Sequence, residues 1–309
     1  MYDIIGDIHG HASVLEKLLG KLGYRLSGGA YRHPERKALF VGDYIDRGPE
    51  VRKTLRLVRR MADAGQAVAL MGNHELNAIL YNEPDGEGGY LRPRSEKNQE
   101  QHRATLKDFE GRDEEYGSYI DWFKTLPLFF ETERFRAIHA CWDQPLIDEL
   151  RGYTVGSRRL SETYFKEAGR RESRLYHILE TLLKGREVAL PEGLSFRDKD
   201  GHRREEVRVK WWMDPQQASL QEWSFAEEIE GRAKESFEPS RHQNRYYTED
   251  EKPVFFGHYW LSGKPELERS NVCCLDYSIG NEEKLAAYRH EGEGTLRGDN
   301  LIWVEYKNC

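Results

Sequence analysis

The chain has 309 residues, and its 47 Lys and Arg residues against 54 Asp and Glu residues give a net charge of −7. This balance argues against a protein that coats nucleic acid, because such proteins usually carry a basic excess, so we expect no stable nucleic-acid partner. No apolar run is long enough to span a bilayer, and the first residues, MYDIIGDIHG, lack the layout of a signal peptide. The four cysteines include no CxxC pair and indicate neither a disulfide framework nor a zinc site. We therefore expect a cytoplasmic protein without a membrane partner.

The first quarter of the chain alternates short apolar runs with helical patterns. Residues 2–6, 37–42 and 66–72 read as buried strands that end in glycine. Residues 12–22 and 49–65 have the apolar spacing of helices, and a further helix starts at residue 73. Strand, helix, strand, helix, strand is typical of an α/β fold with a mostly parallel sheet covered by helices. In such sheets ligands bind beyond the carboxyl ends of the strands.

The rest of the chain has a weaker pattern. Residues 82–115 are polar and are predicted to form a loop with one short helix, and FRAIHA at 135–140 is predicted to be a fourth strand. Residues 145–250 look like helices plus a hairpin, whose turn is RDKDGHRR at 197–204. The stretches PVFFGHY, NVCCLDYSIG, KLAAYRH and LIWVEY return to strands. We predict a single domain over 1–309, with a helical and hairpin excursion at about 145–250.

Polar residues follow five of the predicted strands in succession, in the loops GDIHG, GDYIDRG, GNHE, IHA and FGHY. Any one of them alone is more often a helix cap or a turn residue. Together they offer oxygen and imidazole donors, which suit Mn²⁺, Fe or Zn²⁺. Six donors are too many for one catalytic ion, and they fit two ions roughly 3.5–4 Å apart with one shared carboxylate. The six candidate ligands are Asp7, His9, Asp43, Asn73, His139 and His258.

The motifs GDxHG, GDxxDRG, GNHE, a later His and GH stand in this order in the chain. In this respect the sequence resembles the calcineurin-like metallophosphoesterases, in the branch of phosphoprotein phosphatases and bacterial diadenosine tetraphosphatases. The resemblance is strong over residues 1–80 and at the later histidine motifs, and weak over 82–125 and 145–250. It implies a four-layer αββα sandwich in which two mixed sheets are flanked by helices.

The resemblance also implies roles for individual residues. Asp7 and His9 would bind one divalent cation, Asp43 would bridge two, and Asn73, His139 and His258 would complete the second site. Manganese is the expected metal, with iron or zinc as alternatives. The two cations would share a water and present it to phosphorus as hydroxide.

In the same family pattern, His74 would protonate the leaving oxygen and Asp46 would orient it by a hydrogen bond. Arg47 would bind the phosphate oxygens as a fork. Glu75 is interpreted as a favourable acid in the first turn of a helix, and His102 as a solvated or packed histidine without a motif.

Further basic residues are candidates for binding substrate. Arg232, in EGRAK after WWMDP, is the candidate for the second phosphate-binding arginine that phosphatases of this branch carry. The stretch EEVRVKWW alternates so that Arg208, Lys210 and Trp212 would share one face, which could hold a second phosphate or a base. The alternative is that this face is simply solvated.

The sequence therefore predicts a metallophosphoesterase that hydrolyses a phosphate ester or anhydride with a metal-activated hydroxide. A phosphatase of the serine/threonine type is the main prediction. The alternatives are a dinucleoside polyphosphate hydrolase, such as a diadenosine tetraphosphate hydrolase, and a regulatory protein on an inactive phosphatase fold. The expected partner is a phosphorylated substrate: a phosphoprotein, a nucleotide or a small phosphoester.

Overall fold

The computed structural model describes residues 1–156, 158–197, 201–230 and 245–308. The first part of the chain alternates strands and helices as predicted, and it contains a short hairpin that was not predicted. The elements are β1 Tyr2–Ile5, α1 Ala12–Lys21, β2 Arg25–Ser27, β3 Ala30–Arg32, β4 Lys37–Phe40, α2 Val51–Asp63, β5 Ala67–Ala69 and α3 Asn73–Asn82. The hairpin was missed because β2 is wholly exposed and so has no apolar pattern.

The remaining elements are shorter and more varied. In the middle lie α4 Glu96–Asp108, α5 Asp113–Lys124, β6 Phe129–Glu131, β7 Arg136–Ile138, α6 Gln144–Leu150, β8 Thr154–Val155, β9 Arg159–Leu160, α7 Phe165–Ala168 and α8 Arg174–Lys184. There follow β10 Glu187–Ala189, β11 Ser195–Arg197, β12 Arg203–Arg204, β13 Glu206–Arg208, α9 Leu220–Trp223 and β14 Ile229–Glu230. The last strands are β15 Val254–Phe256, β16 Val272–Cys274, β17 Asp276–Tyr277, β18 Lys284–His290 and β19 Leu301–Glu305.

Two sheets carry the candidate site. The first has the order β17-β18-β1-β4-β5, with β19 paired to β18, and the second has the order β16-β15-β7-β6. Strands β1, β4 and β5 are parallel, and so are β7, β15 and β16. Because the strands of each parallel group run in one direction, their carboxyl ends meet at one edge of the sheet.

The cores lie where the alternating side chains of the strands meet. Ile4, Leu39 and Phe255 belong to a cluster shared by the two sheets. The neighbouring residues Ile5 and Phe40 point the other way and share a second cluster with residues of α1 and α2. Helices outside two facing, mixed sheets confirm the predicted α/β sandwich. In the part of the chain that the structure describes, no helix is long and apolar enough to cross a membrane.

Residues 82–115 differ from the prediction. Instead of one short helix, the segment contains the 13-residue helix α4, and α5 starts at Asp113. Only His102 and Thr105 of α4 are buried, so the helix has no apolar stripe by which the sequence could have revealed it. Its start is marked by Ser95, whose hydroxyl accepts a hydrogen bond from the backbone N–H of Asn98.

The described residues between 145 and 250 form helices and short strands. β11 pairs with β12 as an antiparallel hairpin around the predicted turn, of which residues 198–200 lie outside the described part. A small core of its own includes Val188, Val207 and Trp223. The prediction that EEVRVKWW presents one continuous face is wrong, because β13 ends at Arg208 and Trp212 is buried in the main core.

Candidate active site

The six predicted ligands come together at the carboxyl edge of the two sheets. Asp7 and His9 follow β1, Asp43 follows β4, and Asn73 opens α3 directly after β5. The remaining two come from the second sheet: His139 follows β7 and His258 follows β15. Ligand atoms of His9, Asp43 and His74 lie within 4.8 Å of one another, and so do those of Asp43, His139 and His258. Asp43 belongs to both groups, as a bridging ligand would.

Contacts within the two groups are short. The Asp43 Oδ1 atom lies 3.4 Å from His139 Nε2, and Asp43 Oδ2 lies 3.7 Å from His9 Nε2. The amide oxygen of Asn73 lies 2.9 Å from His139 Nε2 and 2.8 Å from His258 Nδ1. Carboxylate, amide and imidazole groups that converge in this way fit divalent metal ions.

Buried polar atoms without partners support this fit. Among the described residues, Asp7 Oδ1, His9 Nε2 and His258 Nε2 are buried and accept or donate no hydrogen bond. A buried polar atom left unpaired costs about 1–3 kcal/mol, so such atoms on three of the candidate ligands fit a site that holds metal ions. There is no room for a side chain at Gly257, because a Cβ atom there would lie 1.8 Å from Asp7 Oδ1.

The electrostatics of the six candidate ligands also favour the binding of cations. Burial, reinforced by Asp276 and Asp43, raises the pKa of the Asp7 carboxyl well above its usual range. Burial would lower the pKa of His139, but the Asp43 carboxylate raises it to about 10. The cluster thus gathers buried carboxylates that are stabilised by positive charge, which two divalent cations would supply in place of protons.

The loops that carry these side chains have an unusual backbone. Several residues that are not glycine adopt a left-handed conformation, which costs on the order of 1–3 kcal/mol each and is concentrated at functional sites. They are His9, Asp43, Asp46, Arg47, His258 and Trp260, with φ between 46° and 75°.

Glu75 holds one of these loops in place. Its carboxylate accepts hydrogen bonds from the backbone N–H groups of Asp43 at 2.8 Å, Tyr44 at 2.9 Å and Gly72 at 2.9 Å. A Cβ atom on Gly72 would lie 2.1 Å from Asp43 Oδ1, so the glycine allows this close approach. Glu75 is therefore more than a favourable acid at a helix start, because it ties α3 to the loop after β4.

His74 and Asp46 form a pair beside the ligand cluster. Asp46 Oδ2 accepts a hydrogen bond from His74 Nδ1 at 2.5 Å, the contact that the family pattern implied. Burial opposes the charged form of His74, but the Asp43 and Asp46 carboxylates raise its pKa above the ordinary value. Its Nε2 atom lies 3.8 Å from Asp43 Oδ2. His74 is thus held at the edge of the cluster, where the two carboxylates favour its charged form.

Residues of α4 and α5 complete this pair, and the sequence analysis missed them. Asp46 Oδ1 accepts hydrogen bonds from His102 Nδ1 at 2.8 Å and from Thr105 Oγ1 at 2.5 Å. The Nε2 atom of His102 lies 2.7 Å from the Tyr116 hydroxyl. His102 and Thr105 are three residues apart and so lie on one face of α4. That spacing is the only sequence signal for them, and it belongs to no motif.

Arg47 is exposed at the mouth of the site. Its guanidinium carbon lies 5.2 Å from the centre of the Trp260 ring, within the range of a cation–π contact. Both residues line a cavity of about 730 Å³ that also reaches Asp43, His74 and Arg92. The cavity is large enough for a substrate bigger than a phosphate group.

Two other predicted basic residues, Arg208 and Lys210, do not line this cavity. Arg208 lines a neighbouring cavity that also reaches His258, and it forms an ion pair with Glu187 at 2.9 Å. Lys210 donates a hydrogen bond to the backbone oxygen of Glu222 and lines neither cavity. Arg232 lies outside the described residues.

Several known proteins are similar to this chain. The bis(5'-nucleosyl)-tetraphosphatase PrpE [asymmetrical] of Oceanobacillus iheyensis is 47% identical over 73 residues, which are 23% of this chain and 29% of that protein. The protein of the same description from Halalkalibacterium halodurans is 46% identical over 74 residues, or 24% and 30% of the two chains. The chain therefore matches less than a third of the length of these relatives.

Among solved structures, a cold-active protein-tyrosine phosphatase of a psychrophilic Shewanella species is 16% identical, with a TM-score of 0.47. That comparison covers 100% of this chain and 78% of the other. A protein serine/threonine phosphatase from Saccharomyces cerevisiae is 14% identical, with a TM-score of 0.45 over 98% and 78% of the chains.

One comparison covers most of the chain. A sequence model of the calcineurin-like phosphoesterases matches residues 2–258, a span that contains all six converging ligands and the His74–Asp46 pair. This chain belongs to the calcineurin-like phosphoesterase family.

Proposed function

We propose that this protein is a metal-dependent phosphatase that hydrolyses a phosphate ester or anhydride in the cavity between Arg47 and the ligand cluster. The observation that carries the proposal is the convergence of two overlapping ligand groups on Asp43, beside a hydrogen-bonded His74. We propose that Asp7, His9 and Asp43 would hold one ion, and that Asp43, Asn73, His139 and His258 would hold the other. Asp43 stands in both groups of converging ligand atoms, and His74, which also stands in the first group, is assigned a different role below.

The metal ions contribute one part of the chemistry. When bound, divalent cations act as Lewis acids that lower the pKa of water and neutralise negative charge on a phosphoryl group. Manganese is the proposed metal, with iron or zinc as alternatives, because the donors are oxygen and imidazole groups.

The chain's own residues contribute the rest. We assign His74 to proton donation, because its Nδ1 atom is occupied by Asp46 and its Nε2 atom is left to face the cluster. Asp46 holds the imidazole ring in that orientation and stabilises its protonated form. Arg47 presents a planar guanidinium to the phosphate oxygens, and Trp260 packs beside it.

Two classes of substrate are proposed, in order of preference. A phosphatase of the serine/threonine type is the main proposal, since the GNHE loop and the pair of His74 and Asp46 follow that family pattern. A dinucleoside polyphosphate hydrolase is the second candidate. It is supported by the activity named for the bacterial relatives, and by a cavity that offers Trp260 for a base and Arg92 for further phosphate. In both cases we propose a phosphorylated partner and a cytoplasmic location.

The test compares metal-free and metal-loaded protein. Protein treated with a chelator and verified as metal-free should not hydrolyse p-nitrophenyl phosphate, and added Mn²⁺ should restore turnover. A panel of phosphopeptides and diadenosine polyphosphates, assayed under the same conditions, ranks the two substrate classes. Full turnover by verified metal-free protein would overturn the proposal, and absence of turnover with every metal and substrate would favour the regulatory alternative.

A further inference from the structure

Arg92 lies in the same cavity as His74 and Arg47, but no family motif contains it. Its Nη1 atom donates a hydrogen bond to Asn77 Oδ1 at 3.1 Å, and its Nη2 atom donates one to Gln101 Oε1 at 2.8 Å. The backbone N–H of Arg92 is also bound, to the carbonyl oxygen of Leu80 at 2.9 Å. The guanidinium group is thus held by α3 and α4 in a fixed position on the cavity wall.

The charge of Arg92 has no matching carboxylate in contact. Within the described ranges, Arg92 takes part in no ion pair, and both of its side-chain partners are neutral amides. Lys184, which lines the same cavity, is paired with Glu180. The side chain of Arg92 is half-buried, and burial lowers its pKa, with the carboxylates of Glu180 and Asp46 opposing that effect from further away. A half-buried cation held by neutral groups is stabilised when an anion enters the cavity.

Arg92 is held by a residue that lies on the same helix face as one of the candidate metal ligands. Asn73, Asn77 and Tyr81 recur at every fourth residue of α3 and so lie along one face of that helix. Asn77 lies one helical turn, about 6 Å, beyond the ligand candidate Asn73. Asn77, the partner of Arg92, therefore lies on the cavity wall one helical turn beyond the place where a phosphate would be hydrolysed.

We propose that Arg92 binds a second phosphate group, and that the substrate carries two or more phosphates joined by anhydride bridges. The proposal rests on the proposed function, in which the first phosphate lies at the cluster beside Arg47. Asn77 and Gln101 use one N–H from each end of the fork, so the remaining N–H groups of the guanidinium are available to phosphate oxygens. This subsite favours the polyphosphate class of substrates over simple phosphomonoesters.

The experiment measures binding directly, so that it does not depend on turnover. Isothermal titration calorimetry of Mn²⁺-loaded protein, with free Mn²⁺ in excess and blank titrations into buffer, compares orthophosphate with methylenediphosphonate, a pyrophosphate analogue that cannot be hydrolysed. Charge-assisted contacts with one further phosphate predict that methylenediphosphonate binds roughly ten- to a hundredfold more tightly. In Arg92→Gln this preference should fall to within about threefold.

A second variant separates the loss of the Arg92 charge from a folding defect in Arg92→Gln. Asn77→Asp keeps the size of the side chain and places a carboxylate against the Arg92 guanidinium, so the fold is retained while the anion site is neutralised. It should lose the preference for methylenediphosphonate as Arg92→Gln does. Arg103→Gln is the matched control, because it removes the same charge from an exposed position on α4, and it should keep the preference.

The proposal would be overturned by equal affinity of the wild-type protein for both probes, or by a preference that survives in both Arg92→Gln and Asn77→Asp. The same titration with a phosphopeptide that carries an acidic residue beside the phosphate gives a further check. If binding of this peptide depends on Arg92 and binding of methylenediphosphonate does not, the proposal is overturned. Parallel assays with p-nitrophenyl phosphate report separately on the proposed function, since they require hydrolysis but no second phosphate.

Discussion

At the scale of single residues, adjacent side chains in the GNHE loop have different partners. The Asn73 amide oxygen lies against His139 and His258, whereas the His74 ring turns towards Asp46. The geometry therefore separates a proposed metal ligand from a proposed proton donor that stands next to it in the sequence. A variant of each kind should fail in a different way.

We predict that His74→Asn keeps its bound metal but loses turnover by roughly 10²–10⁴-fold, because the role proposed for His74 is general acid catalysis. The loss should be greater for an alkyl phosphate than for p-nitrophenyl phosphate, whose leaving group needs no proton. The measurement is turnover against a series of leaving groups, with metal content determined for each sample. An equal loss for every substrate would show that His74 is not the acid, and loss of metal would show that it is a ligand.

His102 is predicted to act through Asp46 as a positioning residue. His102→Ala removes one of the donors to Asp46 Oδ1, and the loss of a charge-assisted hydrogen bond predicts a fall in turnover of roughly tenfold. Because the effect would pass through His74, the proposed proton donor, the loss of turnover should be larger for alkyl than for aryl phosphates. His177→Ala, an exposed histidine on α8, is the control and should have no effect. A uniform loss across leaving groups would indicate a merely structural role.

At the scale of the elements, Glu75 joins the loop after β4 to the start of α3 through three backbone N–H groups. We predict that Glu75→Gln lowers the free energy of unfolding by about 1–3 kcal/mol and weakens metal binding. Whichever way the amide turns, its NH₂ group must face a backbone donor. Glu83→Gln, which removes only a partly exposed ion pair with Lys124, should cost less than about 1 kcal/mol. Denaturant unfolding measures both, and equal effects would contradict the assignment.

The elements also show where sequence patterns were informative. The strands β1, β4 and β5 were predictable because they lie in short apolar runs that end in glycine. The helices α1 and α2 were predictable because their buried residues recur with helix periodicity. Helix α4 was not, because only two of its residues are buried, both of them polar, and the rest are exposed or partly exposed. The contribution of α4 to the site could therefore be recognised only in the folded structure.

At the scale of the whole molecule, the site lies where two sheets and α3 meet, so metal binding should stabilise the entire fold. A ligand that binds only the native state at a hundred times its Kd adds about 2.7 kcal/mol. We predict that Mn²⁺ raises the Tm of chelator-treated protein, and that Asp43→Asn loses most of this increase because its carboxylate belongs to both ligand groups. Asp148→Asn, an exposed substitution on α6, should retain it. An unchanged Mn²⁺ effect in Asp43→Asn would contradict a bridging role.

A single domain over residues 1–309 stays a prediction. The small core around Val188, Val207 and Trp223 is separate from the two main clusters, although it joins the site region through Arg208 and its neighbouring cavity.

The sequence by itself determined the α/β fold and predicted which residues converge at the strand ends, and the family resemblance added the contact between His74 and Asp46. These features are local: each candidate ligand stands within a few residues of a strand end, and parallel strands necessarily bring those ends to one edge. Only the tertiary structure decided that His102 and Thr105 bind Asp46 and that Asn77 and Gln101 hold Arg92. Those contacts join polar faces of helices far apart in the chain. A polar face has no periodic apolar signal, so its partners become defined only when the surrounding cores have packed.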